Sequence, residues 1–87
     1  MKIAVWDTYV TKKDGTIMHF DIFVPDTLKD EVKIFNFGKE YLKSKNQINQ
    51  TLTSNECRFC HIEQAPTHVI KEIEQKGYYI YEMENCN

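Results

Sequence analysis

The chemistry of this chain is concentrated in Glu56-Cys57-Arg58-Phe59-Cys60-His61-Ile62-Glu63, where two of its three cysteines and one of its three histidines fall within five positions. Read as a short helical turn capped by Ser54, the stretch sets Cys57, Cys60 and His61 at i, i+3 and i+4. Their side chains then project from one face. Two thiols and an imidazole at one point could bind zinc, with Cys86 as the fourth ligand and His68 as its alternate. Against this, Cys86 stands alone near a chain end that should fray. The same pair could run thiol–disulfide exchange, with Cys57 attacking and Cys60 resolving at a helix N-terminus that lowers a thiol pKa. That chemistry expects a long helix directly after the motif, yet Pro66 follows within a few residues. The string also matches the Cys-x-x-Cys-His haem-attachment pattern, in a chain otherwise unlike a small cytochrome. The bland alternative is that the cysteines are small buried hydrophobes.

A second constellation emerges from the strands. Residues 2–11 and 16–24 are rich in β-branched and aromatic types and flank Lys12-Lys13-Asp14-Gly15, which predicts a hairpin. Met18, Phe20, Ile22 and Val24 make one apolar face, matched by Ala4, Trp6 and Val10 with Thr8 among them. A three-residue loop Lys13-Asp14-Gly15, with Gly15 left-handed, brings these faces together and turns the even-numbered side chains to the core. The other face then carries Asp7 opposite Asp21 and Tyr9 opposite His19, with His19 diagonal to Asp7. Like charges directly across a strand pair repel. Water, an imidazolium at His19, a cation or a proton shared between the carboxylates must relieve them. Asp7, Tyr9, His19 and Asp21 thus form a candidate ligand or acid–base site.

The remaining elements frame both sites. After Pro25, Asp26-Thr27 offers an N-cap, and Leu28, Val32, Phe35 and Leu42, widened by Ile34 and Tyr41, predict a helix to about Lys45. Gly38 in its middle implies a close approach to the sheet. Thr51-Leu52-Thr53 is expected as a short third strand leading to the cysteine turn. Ala65-Pro66 opens a second helix that Gly77 stops, and residues 78–84 predict a last strand. The order is ββαβαβ, an α+β two-layer sandwich with both helices on the even-residue face of a four-stranded sheet. This arrangement leaves the Asp7/His19/Asp21 face to solvent or to a second copy of the chain in a homo-oligomer.

With 87 residues the chain is expected to form one domain. Its 41% apolar content separates it from disordered chains. The net charge of −2, without a basic stripe, argues against nucleic acid. No apolar run approaches the roughly 20 residues of a membrane span. The N-terminus reaches charged Asp7 too soon for a signal peptide, so the expected location is the cytoplasm, where cysteines serve metals or transient redox chemistry. Neither Gly-x-Ser-x-Gly nor His-Glu-x-x-His nor a Gly-rich phosphate loop occurs, which favours a binding or structural module over an enzyme.

Val5-Trp6-Asp7-Thr8-Tyr9-Val10, Met18-His19-Phe20-Asp21, the Glu56–His61 string, Gly77-Tyr78 and the closing Cys86-Asn87 together resemble a bacterial family catalogued as domain of unknown function number twenty-twenty-four. The resemblance covers essentially the whole chain, and Cys-Arg-Phe-Cys-His is its most specific part. It implies a compact α+β domain and brings no activity, substrate or cofactor.

Overall fold

A computed structural model describes residues 1–87. The strands are β1 (Lys2–Thr11), β2 (Ile17–Pro25), β3 (Cys57–Gln64) and β4 (Tyr79–Glu84), and the helices are α1 (Glu31–Ser44) and α2 (Thr67–Lys76). They follow the ββαβαβ order of an α+β fold. The sheet is antiparallel in the order β3-β1-β2-β4, so the hairpin forms its centre.

The hairpin register is the expected one: Ala4 faces Val24, Trp6 faces Ile22, Asp7 faces Asp21 and Tyr9 faces His19. Its loop closes through Lys12 N–H to the Thr16 carbonyl at 2.8 Å and Gly15 N–H to the Lys12 carbonyl at 3.0 Å. Gly15 has a φ of 89°, a left-handed conformation that residues with a Cβ rarely adopt. Even-numbered Ala4, Trp6, Val10, Met18, Phe20, Ile22 and Val24 join Ile34, Tyr41 and Leu42 of α1 in the larger core.

The second helix corrects the two-layer expectation. Val69 and Ile73 of α2 pack with Ile3, Val5, Phe23 and Ala65, so α2 covers the odd-residue face while α1 covers the even one. The physical reason lies in the strand ends. Ile3-Ala4-Val5-Trp6 and Ile22-Phe23-Val24 are apolar at consecutive positions, and a strand of that kind needs cover on both faces. The half of the odd face that carries Asp7, Tyr9, His19 and Asp21 falls outside the α2 cluster.

The cysteine stretch corrects a second expectation. Residues 51–53 form no strand, and the stretch from Cys57 is strand rather than helical turn. A single turn comes earlier: Glu56 Oε1 accepts from Thr53 N–H at 2.7 Å and from its hydroxyl at 2.8 Å, and the Glu56 and Cys57 N–H groups return to the Thr53 carbonyl. The chain leaves that turn straight into pairing with β1, beginning at Thr8–Cys57.

Candidate functional site

The open half of the odd face is built by the two central strands. Asp7 and Asp21 oppose each other in the ladder, and His19 reaches across the diagonal to place Nε2 2.6 Å from Asp7 Oδ1, where the carboxylate accepts its N–H. Tyr9 stacks on the His19 ring, 4.1 Å between centroids and 13° between planes, which fixes the imidazole against the sheet. Glu84 of β4 lies 3.8 Å from His19 Nδ1. One ligand atom each from Asp7, His19 and Asp21 lies within 4.8 Å of the others, and all three residues are half-buried.

The electrostatics follow from this crowding. Burial, a hydrogen bond with Asp7 and the Asp7 charge raise the Asp21 carboxyl from 3.8 to about 6, while His19 and His61 pull it down. Partial burial and the negative charges of Asp7, Glu84 and Asp21 hold the Tyr9 phenol above its usual range. Of the reliefs expected for an opposed carboxylate pair, the histidine neighbour is in place, and the raised Asp21 carboxyl favours a retained proton below about pH 6.

The cysteine motif is dispersed. Cys57 is fully buried in the α1-side core, with its sulfur 3.3 Å from the Thr8 hydroxyl, and burial pushes its thiol up to about 11. Cys60 is exposed at a register shift in which Trp6 pairs with Phe59 and Val5 with His61, leaving Cys60 as the extra residue of a bulge. Cys86 is buried, its S–H directed to the carbonyls of His19 at 3.3 Å and Glu84 at 3.2 Å. The expected ligand set Cys57, Cys60, His61 and Cys86 is therefore not gathered. Burial likewise leaves Cys57 badly placed to act as an attacking thiol. The cause is the strand: i, i+3 and i+4 share a face only in a helix. The alternate ligand His68 stands at the start of α2, edge-on to Tyr79.

What sequence reasoning missed is that the two constellations are neighbours. Arg58 pairs with Asp7 across β1 and β3. The charge of His61 is felt at Asp21 and that of Cys60 at Tyr9. His61 Nδ1 lies 3.2 Å from Cys60 Sγ, and its Nε2 lies 2.9 Å from Glu63 Oε1. A cleft of about 320 Å³ opens beside Asp7, lined by Tyr9, Asn55, Glu56 and Arg58. The signal was available: Cys57, Phe59 and Ile62 alternate with polar neighbours once one extra residue is allowed at Cys60.

A small antiparallel α+β domain with a carboxylate–imidazole cluster on a half-open sheet face is the class that fold and site define. The chain belongs to the family described as Domain of unknown function (DUF2024), whose model matches residues 1–83. It is similar over its full length, and over the full length of the other chain, to protein NE1680 from Nitrosomonas europaea, solved by NMR, with 52% identity and a TM-score of 0.86. No functionally curated protein matches it. No helix is long and apolar enough to cross a membrane.

Proposed function

We propose that this domain is a divalent-cation-binding module whose ligands are Asp7, His19 and Asp21. The observation that carries the reading is the convergence of one imidazole nitrogen and two carboxylate oxygens within 4.8 Å on the part of the sheet outside the α2 cluster. An antiparallel register that sets Asp7 against Asp21 keeps two acidic groups adjacent at all times. A divalent cation relieves that repulsion more fully than a single proton or imidazolium can. One nitrogen with two oxygens suits Zn²⁺ or Mn²⁺. The metal-binding role expected of the cysteine motif thus moves to the hairpin, because two of the three thiols are committed to the core.

Binding requires a small rearrangement. His19 Nε2 and Asp7 Oδ1 stand 2.6 Å apart, and two ligands on one ion with bonds of about 2.0–2.1 Å must separate further. Below about pH 6 the proton on Asp21 must also leave, so affinity falls as the solution is acidified. Calorimetric titration of Zn²⁺ into the wild type, Asp21→Asn, His19→Ala and the double variant Cys60→Ser/His61→Ala tests the reading. One site is expected in the wild type and the double variant, with loss of binding in the two hairpin variants. Binding that survives Asp21→Asn and disappears with Cys60 and His61 would move the metal to β3 and refute the assignment.

A further inference from the structure

On the other face of the sheet, Trp6 is 7% exposed, and its indole N–H is the buried side-chain polar group that finds no partner in the fold. A buried donor without an acceptor carries an uncompensated desolvation cost, and native structures keep few of them. Trp6 also lines a cleft of about 270 Å³ together with Ala4, Leu28, Lys29, Glu31 and Phe59. The walls are mostly apolar, and the volume lies just under the range of about 300–1,000 Å³ typical of drug-sized sites, so an occupant would be fragment-sized. Phe59 stands edge-on to the indole, centroids 5.9 Å apart at 71°, and is itself 52% exposed. Its exposed ring closes one side of the cleft.

We propose that this cleft binds a compact, uncharged, apolar molecule with one carbonyl oxygen, which accepts the Trp6 indole N–H when Phe59 swings aside. The acceptor is what the indole lacks. The absence of charge follows from the lining, whose two charged residues, Lys29 and Glu31, are of opposite sign and favour neither an anion nor a cation. A polypeptide strand adding to the edge of β3 fits less well, because the bulge at Cys60 and the charged Arg58 and Glu63 blunt that edge. The cleft lies on the α1 side and shares no residue with Asp7, His19 and Asp21, so it stands or falls independently of the metal site.

Trp6 is the sole tryptophan, so the ¹⁵N-labelled full chain gives a single indole cross-peak. Acetophenone is the ligand to titrate, with benzoate as its charged counterpart. Acetophenone is expected to move the indole proton downfield along a saturable curve and to shift the Phe59 and Leu28 amides with the same midpoint. Benzoate is expected to bind more weakly. Trp6→Phe keeps a ring and removes the donor, and should weaken acetophenone by about tenfold, read at the Leu28 amide. Leu28→Ala, which leaves the indole in place, should weaken it as well. The proposal is overturned if the indole proton stays still throughout the titration, if benzoate binds as tightly, or if Trp6→Phe binds acetophenone unchanged. An indole proton held upfield by the Phe59 ring at every concentration would assign the donor to that ring and equally overturn it.

Discussion

Beside Asp7, the Asp21 carboxyl keeps its proton to about pH 6 rather than 3.8. In the metal-free protein, the stabilisation from that proton is complete below the unfolded value and is lost as pH rises through about 6. Above that, ionised Asp21 faces ionised Asp7. Asp21→Asn is therefore expected to stabilise the metal-free domain at pH 7.5 by about 1 kcal/mol, after solvent screening of a half-exposed pair, and to change little at pH 3.5. Urea denaturation at the two pH values measures this, and a less stable variant at pH 7.5 would contradict it. The cysteines give a second residue-level expectation. Cys57 is buried with its thiol near 11, so iodoacetamide should label Cys60 in the native protein and reach Cys57 only on unfolding. Labelling of both at similar native rates would show that Cys57 is not in the core. The acidic pair was readable from sequence because strand alternation leaves no freedom once one face is fixed. The cysteines were not, because their grouping depends on whether the backbone repeats at 3.6 or at 2 residues.

At the level of elements, the hairpin and α2 were readable because their punctuation is local. Gly15 supplies the left-handed loop position, Pro66 opens α2 and Gly77 closes it at a φ of 95°. The other signals were ambiguous. Asp26-Thr27 looked like the cap of α1, but Asp30 holds that place, accepting from Lys33 N–H at 3.2 Å, and the helix begins at Glu31. Val32, placed on the apolar stripe by spacing, is 67% exposed, and the buried face is Ile34, Gly38, Tyr41 and Leu42. Two cap-like residues three or four positions apart cannot be ranked without knowing where the helix meets the sheet. Gly38 did signal that meeting. A Cβ there would stand 2.5 Å from Leu52 Cδ2 and 3.0 Å from Ile22 Cδ1. Gly38→Val should cost about 2–3 kcal/mol by displacing the Leu52 and Ile22 side chains packed under α1, despite the helix propensity it gains. An unchanged thermal midpoint for this variant would mean that α1 sits farther from the sheet.

Over the whole molecule, a fold measuring 37 × 23 × 18 Å places α1 and α2 on opposite faces of one sheet. The helix order was legible, but the side that α2 takes was decided by Ile3, Val5 and Phe23, whose need for cover shows only when both faces of the strands are counted. That choice creates the site. A ten-residue helix spans about 15 Å, against about 33 Å for the ten residues of β1, so half the odd face stays uncovered. Closure of α2 depends on Gly77, whose backbone is left-handed and where an added Cβ would stand 3.2 Å from Phe37 Cζ. Gly77→Ala should cost about 1–2 kcal/mol in urea denaturation; a neutral substitution would mean that another residue ends the helix. The central claim, that Asp7, His19 and Asp21 hold a cation on the uncovered half-face, is tested most directly by substoichiometric Mn²⁺ added to the ¹⁵N-labelled chain at pH 7.5. The amide signals of Asp7, His19 and Asp21 are expected to broaden first, and Asp21→Asn to abolish the effect. Broadening centred on Cys60 and His61, or scattered evenly over the acidic surface, would contradict it.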